Sequence, residues 1–211
     1  DRVIVNLECA LTTNDSPIKK FGPNLKASPI CAEVLKEIGV TDCGLSNNHT
    51  FDYGIKGLED TIQYLEQNGI LWTGVGANDI ESRKAHMMQV GEKKIALITV
   101  CEHEYTYALP DRMGANPYDP YLTMEDIRNA KAESDYVIVM YHGGKEYCRY
   151  PSPRLRGLCQ SMAKNGADVV LCQHSHCIGC YEEYEGSHLL YGQGNFHFVK
   201  ESKYEGWYSG F

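Results

Sequence analysis

Hydrophobic positions along the chain follow two rhythms. Short runs that are apolar on both faces, Val3–Leu7 (VIVNL), Asp42–Leu45, Lys94–Val100, Tyr136–Tyr141 (YVIVMY) and Asp168–Cys172, predict strands buried between two layers. Helix-period stripes lie between them. Ser28-Pro29 reads as N-cap and first helical residue, with Ile30, Val34, Leu35 and Ile38 on one face. Ile55, Leu58, Ile62 and Leu65 form a second stripe, ended by Asn68-Gly69. Thr123 with Asp126 resembles a capping box, and Ser152-Pro153 opens a helix with Leu155, Leu158 and Met162 inward and Gly166 past its end. Tyr181–Tyr184 and His188–Tyr191 flank the hairpin signal Glu185-Gly186-Ser187, followed by Gly194–Val199. Gly74-Val75-Gly76 reads as a turn, and Tyr105–Tyr121 as the longest loop. Alternating strands and helices imply an α/β chain with right-handed crossovers, and the tail implies a mixed sheet, or two sheets.

Composition narrows the class. At 211 residues, 43% apolar and 23% charged, the chain reads as one globular domain, residues 1–211. Twenty Lys+Arg against 28 Asp+Glu leave a net charge of −8, which argues against nucleic acid as a partner. No apolar run is long enough for a membrane span. Nine scattered cysteines, an odd number, favour free thiols and a cytoplasmic, reducing compartment. Cys177-x-x-Cys180 has no second pair to complete a structural zinc site.

Position carries the chemistry. Four expected strands run straight into polar residues: Asn6-Leu7-Glu8, Ser46-Asn47-Asn48-His49, His142-Gly143-Gly144 with Glu146 beyond, and Gln173-His174-Ser175-His176. Open α/β sheets bind ligands beyond the carboxyl ends of strands, so these residues are expected to converge on one crevice. Taken singly, each has a bland alternative: Asn-Asn-His as turn chemistry, Glu8 as a solvated strand end, a lone histidine as a hydrogen-bonded loop residue. His174 and His176, at i and i+2 of an extended segment, would point the same way. No nucleophile elbow or phosphate-binding Gly-x-x-x-x-Gly-Lys loop is present, and no local signature marks a Cys–His pair.

Those motifs, with Asp52-Tyr53-Gly54, Lys145-Glu146-Tyr147 and Gly194-Asn195-Phe196 in the same order, resemble the bacterial poly-γ-glutamate capsule-synthesis (CapA-type) family, a branch of the calcineurin-like metallophosphoesterases. The resemblance runs from Asp1 to Phe198. It implies a four-layer αββα sandwich of two mixed β-sheets flanked by helices. It implies Glu8, Asn48, His142, His174 and His176 as metal ligands, His49 beside the scissile group and Asp52 as its orienting partner. The family's His-Trp-Gly is His142-Gly143-Gly144 here, Gln173 replaces a glycine, and the superfamily's first, Asp-containing motif is absent. That pattern implies a chain shortened at both ends, with an abrupt stop at Gly206–Phe211, lacking one central strand and one or two ligands. A membrane-anchored extracytoplasmic form is the alternative location.

Imidazole, carboxylate and amide donors suit manganese, zinc or iron. Two such ions sharing a hydroxide would make a phosphoesterase, with one ion if the first motif is lacking. Asn6, Glu146, Arg149 and Arg154 are the candidate contacts to a small or polymeric anionic substrate. The alternative is a non-catalytic metal-containing protein that binds or assembles an anionic capsule polymer.

Overall fold

The computed structural model describes residues 1–102 and 105–197. In chain order its elements begin β1 (Ile4–Asn6), β2 (Ala10–Leu11), β3 (Lys26–Ala27), α1 (Cys31–Glu37), β4 (Asp42–Gly44), α2 (Gly54–Gln67) and β5 (Leu71–Thr73). There follow β6 (Val75–Gly76), α3 (Asp79–Ser82), β7 (His86–Val90), β8 (Lys93–Cys101), β9 (Gly114–Ala115) and α4 (Leu122–Glu133). The last are β10 (Tyr136–His142), α5 (Pro153–Lys164), β11 (Val169–Gln173), β12 (Tyr181–Tyr184) and β13 (Ser187–Leu190). They fall into two compact units, residues 1–86 with 99–118, and residues 87–98 with 119 onward.

The first unit holds a parallel three-stranded sheet ordered β1-β4-β5. Leu11, Cys43, Leu45, Leu58, Leu65 and Ile70 form its core. The α2 stripe is as expected: Leu58 and Leu65 are fully buried, and Asn68 and Gly69 end the helix. The α1 stripe is not. Ile30, Val34 and Ile38 are 55%, 49% and 54% exposed, whereas Ala32 is buried. The helix starts later than Ser28-Pro29 suggests, after tight i→i+3 bonds such as Cys31 N to Ser28 O and Ala32 N to Pro29 O. Those bonds turn faster than an α-helix and rotate the face presented to the sheet. Val75-Gly76 is a strand rather than a turn, pairing antiparallel with Gly114–Ala115 inside the expected long loop. The turn is Gly74 alone, at φ +86, where a Cβ would lie 1.7 Å from Thr99 Oγ1.

The second unit is built on a sheet ordered β12-β13-β11-β10-β8-β7. β10, β11 and β13 are parallel, and β12 is antiparallel, so the sheet is mixed as the tail suggests. Ser152 caps α5 by accepting from Leu155 N at 3.1 Å. At α4 the capping residue is Asp119, whose Oδ1 accepts from Tyr121 N and Leu122 N, instead of the expected Thr123–Asp126 box. The hairpin turn is two residues, Glu185 and Gly186, both at positive φ (52° and 83°). That double positive φ is the type I′ geometry that matches strand twist. All nine cysteines carry free thiols, five of them buried. No helix among the described residues is long and apolar enough to cross a membrane. Gly194–Val199 runs past the described residues, and Gly206–Phe211 lies wholly outside them.

Candidate functional site

In the first unit, β1 and β4 lie side by side, so their carboxyl ends carry Asn6-Leu7-Glu8 and Ser46-Asn47-Asn48-His49 together. Asn47, fully buried, ties the two. Its Nδ2 donates to Leu7 O at 2.9 Å and Asn6 Oδ1 at 3.2 Å, and its Oδ1 accepts from His49 N at 3.0 Å. Asn6 Nδ2 in turn donates to Glu8 Oε2 at 3.2 Å. Asn6, expected to contact substrate, thus also holds the Glu8 carboxylate. Ser46 Oγ donates to Gly74 O at 2.5 Å and pins the start of the turn.

His49 Nδ1 lies 2.6 Å from Asp52 Oδ2. A carboxylate only accepts, so Nδ1 carries the proton and Nε2 is the ring's free acceptor nitrogen. Asp52 is fully buried, accepts from Leu25 N at 2.6 Å, and pairs with Lys20, whose side chain is 3% exposed. Lys20 Nζ also donates to Asn48 O at 3.1 Å. It stands 3.3 Å from His49 Nδ1 as well. That approach is proximity, because two donors cannot share a hydrogen bond. Burial, the Cys31 thiol and the Glu8 and Asp52 carboxylates push the Cys9 thiol up to about 12. It stays protonated and is no nucleophile.

In the second unit, β10 and β11 pair in parallel register, His142 beside Gln173, which delivers His142 and His174 to one sheet end. The two rings are 5.0 Å apart, centroid to centroid, and a ligating nitrogen of each lies within 4.8 Å of the other. His174 and His176 rings are 6.3 Å apart. They meet by a route other than the extended one expected. β11 stops at Gln173, and His174 and His176 adopt the left-handed conformation at φ 78° and 52°. Tyr147 does the same at φ 59°. Such positions cost L-residues roughly 1–2 kcal/mol each and cluster at functional sites.

The surroundings orient the rings. Asn195 Oδ1 lies 2.8 Å from His176 Nδ1, which fixes the proton there and turns Nε2 outward. Tyr147 sits 6.2 Å from the His176 ring, and its N donates to Ser175 O at 2.8 Å. Glu146 Oε1 is 3.9 Å from His174 Nε2. The His142 and His174 nitrogens, within 4.8 Å of each other, are donors of the kind that fit a borderline divalent ion. Arg149 and Arg154 are both exposed; Arg149 contributes its carbonyl to Cys180 N at 3.3 Å. Lys20, Asn47, Tyr147 and Asn195 were missed as functional residues. Only Asn47, Tyr147 and Asn195 stood inside quoted motifs where a signal existed.

The chain matches the description "Bacterial capsule synthesis protein PGA_cap" over residues 1–200. It is 29% identical over 182 residues to the PGA biosynthesis protein CapA of Bacillus subtilis (strain 168), covering 83% of this chain and 47% of that protein. It is 24% identical over 209 residues to a probable polyglutamine synthesis accessory protein of Mycobacterium tuberculosis (strain CDC 1551 / Oshkosh), covering 92% and 55%. The chain thus spans about half the length of the curated relatives it matches. A solved candidate 5′-nucleotidase from Staphylococcus aureus, in complex with α-ketoglutarate, superposes with a TM-score of 0.54 at 19% identity, covering 80% of this chain and 38% of that one. That likeness establishes a shared mixed α/β fold. The chain belongs to the bacterial capsule synthesis protein family, PGA_cap.

Proposed function

We propose that the protein is a metal-dependent phosphoester hydrolase acting in the synthesis of a γ-glutamyl capsule polymer. The observation that carries this reading is the His142, His174 and His176 cluster, whose second and third members are held at φ 78° and 52°. Strain of that kind persists where a ligand-binding role selects it. These three histidines hold divalent manganese, zinc or iron, two ions or one, with Glu8 and Asn48 as the further ligands the family pattern assigns. Bound there, the metal supplies charge neutralisation at phosphoryl oxygens and acidifies a water near neutral pH. His49 donates a proton from Nε2 to the leaving oxygen, a contribution of roughly 10²–10⁴-fold. Asp52 holds its ring, and Lys20 pairs with Asp52.

The test is His174→Ala. Metal content, by elemental analysis, and hydrolysis of a generic phosphomonoester or diester should fall together. Full turnover in a chelator-treated preparation would end the reading. The relative named for an accessory role supports a second reading, a metal-containing protein that binds or assembles an anionic polymer. Metal-dependent polymer binding without turnover of any phosphoester selects it.

A further inference from the structure

Residues 18–25, which none of the quoted motifs covers, are strapped onto Asp52. Ile18 N donates to Asp52 O at 2.9 Å, Asn24 Nδ2 to the same oxygen at 3.0 Å, and Leu25 N to Asp52 Oδ2 at 2.6 Å. Gly22, at φ +83, reverses the chain between these contacts, in a conformation that glycine adopts without strain. Lys20 is turned inward, its side chain 3% exposed, while its neighbours Lys19 and Phe21 are exposed.

Among the described residues, every polar contact of the Lys20 ammonium goes to one stretch of chain. It pairs with Asp52, donates to Asn48 O at 3.1 Å and stands 3.3 Å from His49 Nδ1. Stability alone does not ask for this arrangement, since a buried ion pair is often no better than apolar side chains of the same size. Asp52 by itself would answer the charge. The second acceptor is the carbonyl of the peptide that joins Asn48 to His49, so the ammonium bridges the backbone that carries the ring and the carboxylate that holds it.

We propose that Lys20 is a positioning residue, whose one buried ammonium fixes the Asn48–His49 peptide and Asp52 at a set spacing, and with them the His49 ring. The proposal rests on the hydrolase reading for its effect on turnover, and on the contacts alone for its effect on the ring. Because Lys20 acts through other residues, its loss lowers kcat and leaves KM unchanged.

Turnover of para-nitrophenyl phosphate by the metal-loaded full chain is measured below each variant's unfolding midpoint, alongside imidazole NMR spectra of histidine-labelled protein. Lys20→Ala should lose about 100-fold in kcat, the lower end of what a positioned proton donor contributes. The His49 Nδ1 signal should move from its wild-type position. Propylammonium, which replaces the atoms removed, should restore both, and propanol neither. Lys20→Arg keeps the charge and the fold but spaces its donors differently, so it should fall between the wild type and Lys20→Ala. Wild-type kcat and ring signal in Lys20→Ala, or in Lys20→Arg where the alanine variant does not fold, overturn the proposal. So does equal rescue by propanol, which makes the role one of packing, and so does a raised KM at wild-type kcat, which makes Lys20 a substrate contact. An inactive wild type whose His49 signal still moves and recovers sinks the hydrolase reading and leaves Lys20 in its role.

Discussion

His49 and His174 both follow parallel strands, yet the chain holds them by different means. His49 is 7% exposed and is fixed through hydrogen bonds: Asn47 takes its backbone N–H, Asp52 its ring, and Lys20 neutralises Asp52. His174 is fixed through its backbone, in a left-handed turn shared with His176 and packed under Tyr147. A buried polar network rigidifies only while every member is satisfied, so the first arrangement is costly to break in part. A strained turn stores its cost in the resting protein for as long as a Cβ occupies the left-handed position. The contrast suits the two tasks proposed for them, since a proton donor needs one fixed atom, and a ligand set needs several nitrogens aimed by their main chain.

The comparison breaks most sharply at Asp52. Asp52→Asn leaves Lys20 buried without a charge partner, a loss of roughly 3–5 kcal/mol. It also releases the His49 tautomer, which should lower turnover by about 10²–10⁴-fold. Metal content should remain that of the wild type, because His142, His174 and His176 are untouched. Urea unfolding, initial rates and elemental analysis read these separately. Adding Lys20→Met to Asp52→Asn should recover much of the stability and none of the rate. A variant as stable and active as the parent would show that the network is ornamental.

Asn195→Ala probes the other arrangement. Removing the acceptor at His176 Nδ1 frees the ring to rotate, and metal affinity should fall by about 10–100-fold. Thermal stability of the metal-free protein should scarcely move, which is the reverse of Asp52→Asn. Unchanged affinity in a competition with a metal-chelating dye would remove Asn195 from the account.

The strain itself is measurable by comparing His174→Gly with His174→Ala. Both lose the imidazole, so metal binding fails in both, and they differ in the cost of φ 78°. The glycine variant should be more stable by about 1 kcal/mol, although alanine is elsewhere the better residue. Equal unfolding midpoints would mean that the turn relaxes once the ring is gone.

These differences explain what the sequence disclosed. The run YVIVMY was legible because most of it is buried on both faces, as a continuous apolar run demands, whereas VIVNL is only half-buried and was legible through its β-branched composition. The α1 face was not legible: Ile30, Val34 and Ile38 share a stripe, but the tight turn ahead of them rotates it outward. His174 and His176 were found through i, i+2 spacing, for a reason the geometry replaces, because they meet across left-handed residues and not along a strand. Lys20 carried no signal at all, since a lysine in Ile18-Lys19-Lys20-Phe21 looks like surface until Asp52 is folded against it.

An exposed ion pair sets the lower end of the scale on which the buried Lys20–Asp52 pair is judged. Arg156 forks onto Glu182 with contacts of 2.7 and 3.0 Å, and Tyr191 and Gln160 also donate to that carboxylate, at 2.7 and 2.8 Å. Arg156, then Tyr191 and Gln160, hold the Glu182 carboxyl down from 4.5 to about 2. The folded chain therefore keeps this charge where the unfolded chain begins to take up a proton. The stabilisation is complete above the ordinary pKa of about 4.5, declines as the pH falls, and is gone below about 2. Because Arg156 is 58% exposed, water screens the pair and its contribution at neutral pH is small. Urea midpoints of the wild type and Glu182→Gln should differ slightly at pH 7 and converge as the pH falls through that window. A gap that stays constant down to the acid end would mean that the fork acts by packing, through the Arg156 stem and the Tyr191 ring, and its charge would no longer serve as the exposed reference for the buried pair.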